Sequence, residues 1–502
     1  MDHVAGGGAA MNDSPILAGL ADPGAEILAA AAIAVAAPLV AATLVAVLGS
    51  DRRARRFAVA AAVVSLTASV VVAWSWSRSP TVAIGFGERL GGGHLVHVDG
   101  ITAALLPYAA LIGLAVTLVA PRRTVGRGAV VRLLGGLAAT LAVFLTAHPS
   151  VLVGMWILTA LPTWISIRAT PDARGAARVF AIAMGLAVAC MAAGTLMLVA
   201  DPPWEQGCGR VGAAGGWLVA LAVLVRKGIV PFHSWYPAVY EAAPMSTALL
   251  ATMPQVAAYT AVRLLVGHAD GVPHELEVLA QLALVTAVYG GALAVVQRTL
   301  RGLIGTLAMS QSALVLAGLS GTVPMELNGA LCVWISSGLA LTGIGLVGWA
   351  LESRAGPLRL DALQGRFWDA PALAAFFLLF GLAAIGLPGT LSFVADDLIV
   401  SGSLDERFHA GLCVIAATVL CGIAVMRGFF TVFGGPVTPD GPRHAILPRE
   451  RVALVLLLAV LFGLGLHPAP LVGSLERAAE GLLGTRAARE PAAGLHETSG
   501  GR

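Results

Sequence analysis

The stretch RKGIVPFHSWYPAVYEAAPMS, residues 226–246, carries the strongest structural signal in this chain of 502 residues. It follows a long apolar run and contains Lys227, the single lysine of the sequence, next to Arg226. A cation at the centre of a membrane-spanning helix costs about 2.5–3.5 kcal/mol on insertion scales, so such residues are rare and usually mark an ion or proton path. A second interpretation is that both cations end a helix at the cytoplasmic surface, as the positive-inside rule predicts. The spacing alone agrees equally well with both.

The composition of the chain around this stretch is that of a membrane protein. Hydrophobic residues make up 58% of the sequence and charged residues 12%, whereas soluble globular domains contain about 25% charged residues. Apolar runs long enough to span a bilayer occur almost from end to end, and we therefore predict an all-α polytopic membrane protein with about 14 transmembrane helices. The net charge of +3 gives no indication of a nucleic-acid partner.

Short connections between the apolar runs predict one transmembrane domain, residues 27–473, between an N-terminal tail, residues 1–26, and a C-terminal tail, residues 474–502. No basic region precedes the first run, so we expect it to remain as a span rather than to be cleaved as a signal peptide. The predicted spans are 27–49, 57–77, 100–120, 130–147, 150–168, 178–200, 214–232, 244–266, 277–297, 302–320, 327–350, 371–391 with an irregular continuation to 401, 409–433 and 452–473.

Basic residues cluster in alternate connections, and DRRARR after the first span is the clearest case. Because cytoplasmic loops are enriched in Lys and Arg, this asymmetry predicts that both termini are extracytoplasmic and that residues 226–233 lie near the cytoplasmic face. The strong preference for Arg over Lys is typical of a GC-rich bacterial genome, so we expect the protein in a bacterial inner membrane.

Two of the predicted spans contain helix breaks. Pro231 and Pro237 interrupt the seventh span, and GLPGT, with Pro388 at its centre, interrupts the twelfth. Proline removes a backbone donor and kinks a helix, which frees carbonyl groups at membrane depth. The second break is followed by Asp396 and Asp397 in an otherwise apolar stretch. Broken spans with nearby charges, one in each half of a chain, are typical of inverted-repeat transporters.

The sequence gives no support for a cofactor or a metal. The five cysteines form no CxxC pair, so we expect neither a disulfide framework nor a zinc or iron–sulfur site. The string GIGLVG, residues 343–348, fits GxGxxG but lies inside an apolar span, where close helix packing is the better interpretation. His94 and His97 form an HxxH without a third ligand close by, which favours a solvated loop.

At these motifs the chain resembles the antiporter-like membrane subunit family. That family includes the proton-pumping subunits of respiratory complex I, the large subunits of Mrp cation/proton antiporters, subunits of membrane-bound hydrogenases, and the membrane subunit of two-component inorganic-carbon transporters. The resembling stretches are VDGITAALLPYAALIG (98–113), VPFHSWYPAVYEAAPMS (230–246), QRTLRGLIGTLAMSQ (297–311) and LAAFFLLFGLAAIGLPGTLSFVADDLI (373–399). The resemblance implies two inverted five-helix repeats, at about residues 100–266 and 277–434, each with one broken helix.

The resemblance also implies a role for individual residues. The seventh-helix lysine of the family aligns with Arg226, and Lys227 is one position further along. The terminal charge of the twelfth helix aligns with Asp396. Imidazole changes charge near neutral pH, so His233 is a candidate proton relay, with a structural hydrogen bond as the alternative. Glu241 is a candidate partner of Lys227 or Arg226. The predicted ion-pathway residues are Arg226, Lys227, His233, Glu241, Asp396 and Asp397.

Several family charges are absent from this sequence. Ile157 stands where the fifth helix usually has a glutamate, and the eighth helix offers only Gln255 before Arg263. In the eleventh helix, Ser337 and Leu341 occupy positions where many relatives have His and Lys. These departures keep a second hypothesis open: a degenerate, non-conducting scaffold that docks a catalytic partner.

Three functional hypotheses therefore follow from the sequence. The first is a membrane subunit of a multisubunit complex that moves protons or another monovalent cation, with other membrane subunits as partners and no catalytic motif of its own. The second is the scaffold, whose partner would be a soluble zinc-containing subunit if the complex takes up inorganic carbon. The third, a quinone-reducing enzyme subunit in its own right, is disfavoured because the sequence has no flavin, nucleotide or cluster motif.

Overall fold

The computed structural model describes residues 23–48, 51–78, 84–86, 95–120, 126–200, 210–266, 274–436 and 445–487. Within these ranges the chain forms eighteen helices and one short β-hairpin, which confirms the predicted all-α membrane fold. The helices are α1 Pro23–Leu48, α2 Asp51–Arg78, α3 Gly100–Val119, α4 Arg127–Phe144, α5 Pro149–Arg168, α6 Arg174–Ala200, α7 Arg210–Lys227, α8 Trp235–Ala242, α9 Met245–Thr252, α10 Val256–Leu264, α11 His274–Val296, α12 Leu300–Gly318, α13 Pro324–Ala355, α14 Pro371–Ala383, α15 Leu391–Glu406, α16 Phe408–Phe433, α17 Pro448–Leu466 and α18 Ala469–Ala487. The strands are β1 Ile84–Phe86 and β2 Val96–Val98, paired antiparallel.

Local sequence signals set several of the helix starts. Oδ1 of Asp99 accepts a hydrogen bond from the amide of Thr102 at 2.9 Å and caps α3. Thr299 caps α12 in the same way, with 3.0 Å between its Oγ1 and the amide of Gly302. Such side-chain caps satisfy amides that the first helical turn leaves unpaired.

Three of the predicted spans are interrupted helices. The seventh continues from α7 through non-helical residues 228–234, which include Pro231, into α8. The twelfth is divided into α14 and α15 by residues 384–390, which include Pro388. The eighth is also divided, into α9 and α10, a break that was not predicted. Pro237 is the third residue of α8 and does not interrupt it, because the first turn of a helix has no intrahelical use for that amide.

Ten helices in the described part of the chain are long and apolar enough to cross a membrane, or eleven if the bent pair of α17 and α18 is one span. The number fourteen counts broken and shorter helices as well, and it stays a prediction. The axes of α17 and α18 differ by 74°. The predicted C-terminal tail therefore includes a helix over its described residues, 474–487.

Helix α13 forms the centre of the molecule. Every residue from Glu326 to Leu351 is buried, and the helix packs against α12, α14 and α15. Ion pairs hold both of its ends. Oε1 of Glu326 lies 3.2 Å from Nη2 of Arg407 at the first turn, and Nη2 of Arg354 lies 2.6 Å from Oε2 of Glu450 at the last.

Candidate functional site

The end of α7 places Lys227 inside the protein. Its side chain is 2% exposed, and Nζ donates a hydrogen bond to Oε1 of Gln255 at 2.5 Å. Both side chains line a cavity of about 30 Å³, which has room for one or two water molecules. The interpretation of Lys227 as a surface helix end is therefore wrong. A buried ammonium that faces a small polar cavity can exchange protons with water held there.

Gln255 reaches Lys227 because the eighth span breaks beside it. The residue has φ 54° and ψ 50°, a left-handed conformation that few non-glycine residues adopt. The break leaves carbonyl groups without helical partners, and neighbouring aromatic residues supply them. The hydroxyl of Tyr108 donates to the carbonyl of Met253 at 2.6 Å, and Nε1 of Trp334 donates to that of Pro254 at 3.2 Å. Pro254 was the sequence signal for this break.

Arg226 contacts helix α5 through groups that carry no negative charge. Nη1 donates to the carbonyl of Trp156 at 2.9 Å, and Nη2 donates to Oγ1 of Thr159 at 2.5 Å. The guanidinium also lies 4.6 Å from the centroid of the Trp156 ring, which is within cation–π range. Ile157, in the sequence position of the missing glutamate, is 48% exposed. Arg226 thus contacts a carbonyl, a hydroxyl and an indole face of α5.

Glu241 does not pair with either cation. It is exposed, and its Oε1 accepts a hydrogen bond from Oγ1 of Thr299 at 3.1 Å. Among the described residues Arg226 and Lys227 take part in no ion pair, so the predicted pairing is wrong. The structure instead uses Glu241 to tie α8 to the start of α12.

His233 lies in the break between α7 and α8. Its ring contacts that of Tyr289 edge-on, with 5.2 Å between the centroids. Its Nδ1 is buried and has no hydrogen-bond partner among the described residues. The residue thus lies at the break of the seventh span but does not line the Lys227 cavity, and its role as a proton relay stays a prediction.

The second break brings Asp396 against the GLPGT segment. Gly386 and Gly389 have φ values of 84° and 89°, which only glycine adopts without strain. A Cβ on Gly386 would lie 2.8 Å from Oδ2 of Asp396, so the carboxylate closely approaches the backbone there. Asp396 is half-buried, whereas Asp397 is exposed.

Helix α12 carries buried polar side chains between the two breaks. Ser312 lines the cavity that contains Lys227. Sγ of Cys421 lies 3.4 Å from Oγ of Ser310, and Cys421 is close enough to Gln311 and Asp396 to interact with both. These α12 side chains are buried. These groups were not predicted, because they carry no charge, although the string MSQS at 309–312 was their signal.

Ser337 and Leu341 of the eleventh span contribute no titratable group to the site. Ser337 donates to the carbonyl of Val333 within its own helix at 2.6 Å, and Leu341 is buried. The GIGLVG string packs helices closely. A Cβ on Gly343 would lie 2.2 Å from Phe380, and one on Gly345 would lie 2.9 Å from Leu249. This agrees with the packing interpretation of the motif.

A buried ion pair that was not predicted joins the start of α3 to the end of α10. Arg263 donates from Nη1 to Oδ2 of Asp99 at 2.5 Å and from Nη2 to Oδ1 at 2.9 Å. The same guanidinium lies 4.8 Å from the centroid of the Tyr259 ring. This bidentate contact positions the second half of the broken eighth span, and thereby Gln255.

Comparisons with known proteins agree with this architecture. Residues 179–423 match the family described as NADH:quinone oxidoreductase/Mrp antiporter, TM. The chain is 25% identical over 281 residues to NADH-quinone oxidoreductase subunit M of Mycobacterium tuberculosis, a match that covers 55% of this chain and 50% of that protein. It is 24% identical over 272 residues to F(420)H(2) dehydrogenase subunit M of Methanosarcina mazei, covering 53% and 54%. The matched part thus spans about half the length of these curated relatives.

Two solved structures show the same fold. A chain of the Mrp complex from Dietzia sp. superposes with a TM-score of 0.81 at 19% identity, covering 90% of this chain and 97% of that one. A chain of respiratory complex I from Thermus thermophilus superposes with a TM-score of 0.80 at 19% identity, covering 91% and 99%. The chain therefore has the fold of these antiporter-like membrane proteins. Residues 179–423 carry the sequence pattern of the NADH:quinone oxidoreductase/Mrp antiporter family, as the motifs indicated.

Proposed function

We propose that the protein is a proton-translocating membrane subunit of a multisubunit complex, with other membrane subunits as its partners. Support comes from the family and from one observation above all: the ammonium of Lys227 is buried at one helix break and bonded to Gln255 at another. A titratable group inside a membrane protein, next to irregular backbone and a polar cavity, is the arrangement that ion paths require. The alternative form of this proposal is that the subunit translocates a monovalent cation other than the proton.

The proposed route runs from the Lys227 cavity to Asp396. Arg226 remains charged, because a guanidinium does not lose its proton in proteins, so it acts as a fixed positive charge. Lys227 exchanges the proton with water in the cavity, Ser312, Gln311 and Ser310 form the uncharged connection, and Asp396 receives the proton at the second break. His233 and the exposed residues Glu241 and Asp397 lie off this connection.

The remaining predictions about location belong to this proposal. Both termini would be extracytoplasmic, and the protein would lie in a bacterial inner membrane with two inverted repeats at about residues 100–266 and 277–434. The inorganic-carbon system with its soluble zinc partner stays a prediction, since the relatives named above are respiratory and Mrp proteins.

The test is proton flux through the intact complex, purified by a tag on this subunit and reconstituted into liposomes with an imposed pH gradient. Lys227→Met and Asp396→Asn should each lower the flux at least about tenfold, since each removes a proton carrier. Asp397→Asn is the matched control, because the neighbouring carboxylate is exposed, and it should retain the flux. Wild-type flux in both Lys227→Met and Asp396→Asn would reject the proposed route.

The non-conducting scaffold remains the second candidate, and one observation favours it. Among the described residues that line the cavity there is no carboxylate, so the site lacks the ion pair expected of a proton pump of this family. A scaffold gives no flux in the wild-type complex, while Lys227→Met leaves assembly of the complex unchanged. Measuring complex yield beside flux therefore separates the two functions.

A further inference from the structure

The cavity beside Lys227 is surrounded by hydrogen-bond donors. Its polar lining consists of Arg226, Lys227, Tyr236 and Gln255 together with the hydroxyl-bearing residues Thr159, Thr163, Thr252 and Ser312. An ammonium has three N–H donors and a guanidinium has five. One donor of Lys227 is used by Gln255, and two of Arg226 are used by Trp156 and Thr159. Lys227 and Arg226 therefore keep further N–H donors that these hydrogen bonds do not use.

The hydroxyl of Tyr236 is another hydrogen-bond donor at this cavity. This side chain is 2% exposed, and its oxygen makes no hydrogen bond of normal geometry with any described residue. The hydroxyls of Thr252 and Ser312 are close enough to interact with it, and Oγ1 of Thr252 also donates to the carbonyl of Ala248 at 2.8 Å and lies 2.7 Å from the hydroxyl of Tyr240. A buried hydroxyl without a partner costs about 1–3 kcal/mol, which a ligand with acceptor capacity would recover.

The charges at the cavity are also unbalanced. Two cations at consecutive positions lie inside the membrane domain, and the groups bonded to them are an amide, a carbonyl, a hydroxyl and an indole face. Removing a charge from water costs several kcal/mol unless an opposite charge accompanies it. Partial negative charges on neutral groups offset only part of this cost.

We propose that this cavity binds one small monovalent anion, of the size of chloride, between Arg226, Lys227 and Tyr236. The volume of about 30 Å³ admits a halide and excludes an organic acid. The anion supplies the counter-charge that a carboxylate would otherwise provide on α5. This inference goes beyond the proposed function and does not rest on it, because anion binding is an equilibrium that exists whether or not protons move.

The experiment measures binding of radiolabelled chloride to the purified full-length protein in nanodiscs, together with the thermal unfolding midpoint in potassium chloride and in potassium gluconate at equal ionic strength. We expect saturable binding and a midpoint that rises with chloride concentration, as mass action requires of a ligand that binds only the folded state. Tyr236→Phe keeps the ring and should weaken chloride binding about tenfold, the loss expected for one hydrogen bond to a charged group.

Arg226→Gln should abolish the binding. The matched control is Arg168→Gln, because Arg168 also lies over a tryptophan of α5, at 5.3 Å from the Trp164 ring, but is exposed and away from the cavity. That variant should bind chloride like the wild type. If Arg226→Gln does not fold, Tyr236→Phe alone decides the question.

Equal midpoints in chloride and gluconate without saturable binding in the wild type would overturn the inference and leave a cavity that holds only water. Unchanged chloride affinity in Tyr236→Phe would also overturn it, because the anion would then lie elsewhere. Chloride binding and proton flux are measured separately, so failure of this inference is distinguishable from failure of the proposed function.

Discussion

Nζ of Lys227, the last residue of α7, lies 2.5 Å from Oε1 of Gln255, the left-handed residue that precedes α10. This contact joins two helix breaks that are 28 residues apart in the sequence. Each break exposes backbone groups, and the hydrogen bond between the two side chains fixes the breaks relative to one another. The hydrogen bond therefore holds together two sides of the cavity that both residues line.

Gln255→Leu should destabilise the protein by about 2–3 kcal/mol, because the buried ammonium loses its acceptor. The measurement is chemical or thermal unfolding of the full-length protein in nanodiscs. The double variant with Lys227→Met is the control. It removes both partners and should be more stable than Gln255→Leu alone, which gives a positive coupling in a double-mutant cycle. Additive effects would show that the two side chains do not interact.

Trp156 is fully buried and stacks on Arg226. Trp156→Leu should lower the free energy of unfolding by about 3–5 kcal/mol, because it removes a large buried ring together with the cation–π contact. Trp164→Leu is the comparison, since its contact with Arg168 is at an exposed helix end. Its cost should be about 1 kcal/mol. Similar costs for both variants would argue against a special role of the Trp156 face.

The two glycines of GLPGT allow backbone strain to be separated from contact with Asp396. Gly386→Ala and Gly389→Ala should each cost about 1–2 kcal/mol, since both positions have positive φ. Only the Gly386 methyl would also meet Oδ2 of Asp396, at 2.8 Å, whereas a methyl on Gly389 has no neighbour closer than 3.9 Å. We expect reduced proton flux in Gly386→Ala alone. Equal flux in the two variants would remove Asp396 from the route.

The pair of Asp99 and Arg263 predicts acid sensitivity. Burial acts to raise the pKa of Asp99, but Arg263 and His97 together outweigh it and hold the pKa well below its usual value. A depressed carboxyl pKa adds stability that is fully present above the unfolded pKa of about 3.9 and is lost as pH falls through the folded pKa. The midpoint of thermal unfolding of the wild type should therefore fall below about pH 4.

Asp99→Asn is the control for this pH dependence. It should cost about 3–5 kcal/mol near neutral pH, because the buried guanidinium of Arg263 is left uncompensated. Its stability should no longer change with the titration of this carboxyl. If Asp99→Asn loses stability at acid pH as the wild type does, groups other than Asp99 cause the acid sensitivity.

The breaks in the seventh and twelfth spans were predictable because proline and glycine interrupt long apolar runs there. The break at Gln255 was not predicted, since Pro254 is followed by a residue type that gives no sign of positive φ. The partner of Arg226 was missed for a geometric reason. Helical neighbours three apart share a face, so Trp156 and Thr159 contact the guanidinium, while Ile157 points to the exterior.

Helix α13 has 32 residues, and at 1.5 Å per residue it is about 48 Å long, compared with about 30 Å for the hydrocarbon core of a bilayer. It is thus longer than the membrane is thick, and salt links clamp it at Glu326 on one side and at Arg354 on the other. The helix has no break between Pro324 and Ala355. A neighbouring subunit that displaced one end of α13 would displace the other end with it, because the helix is continuous over its whole length.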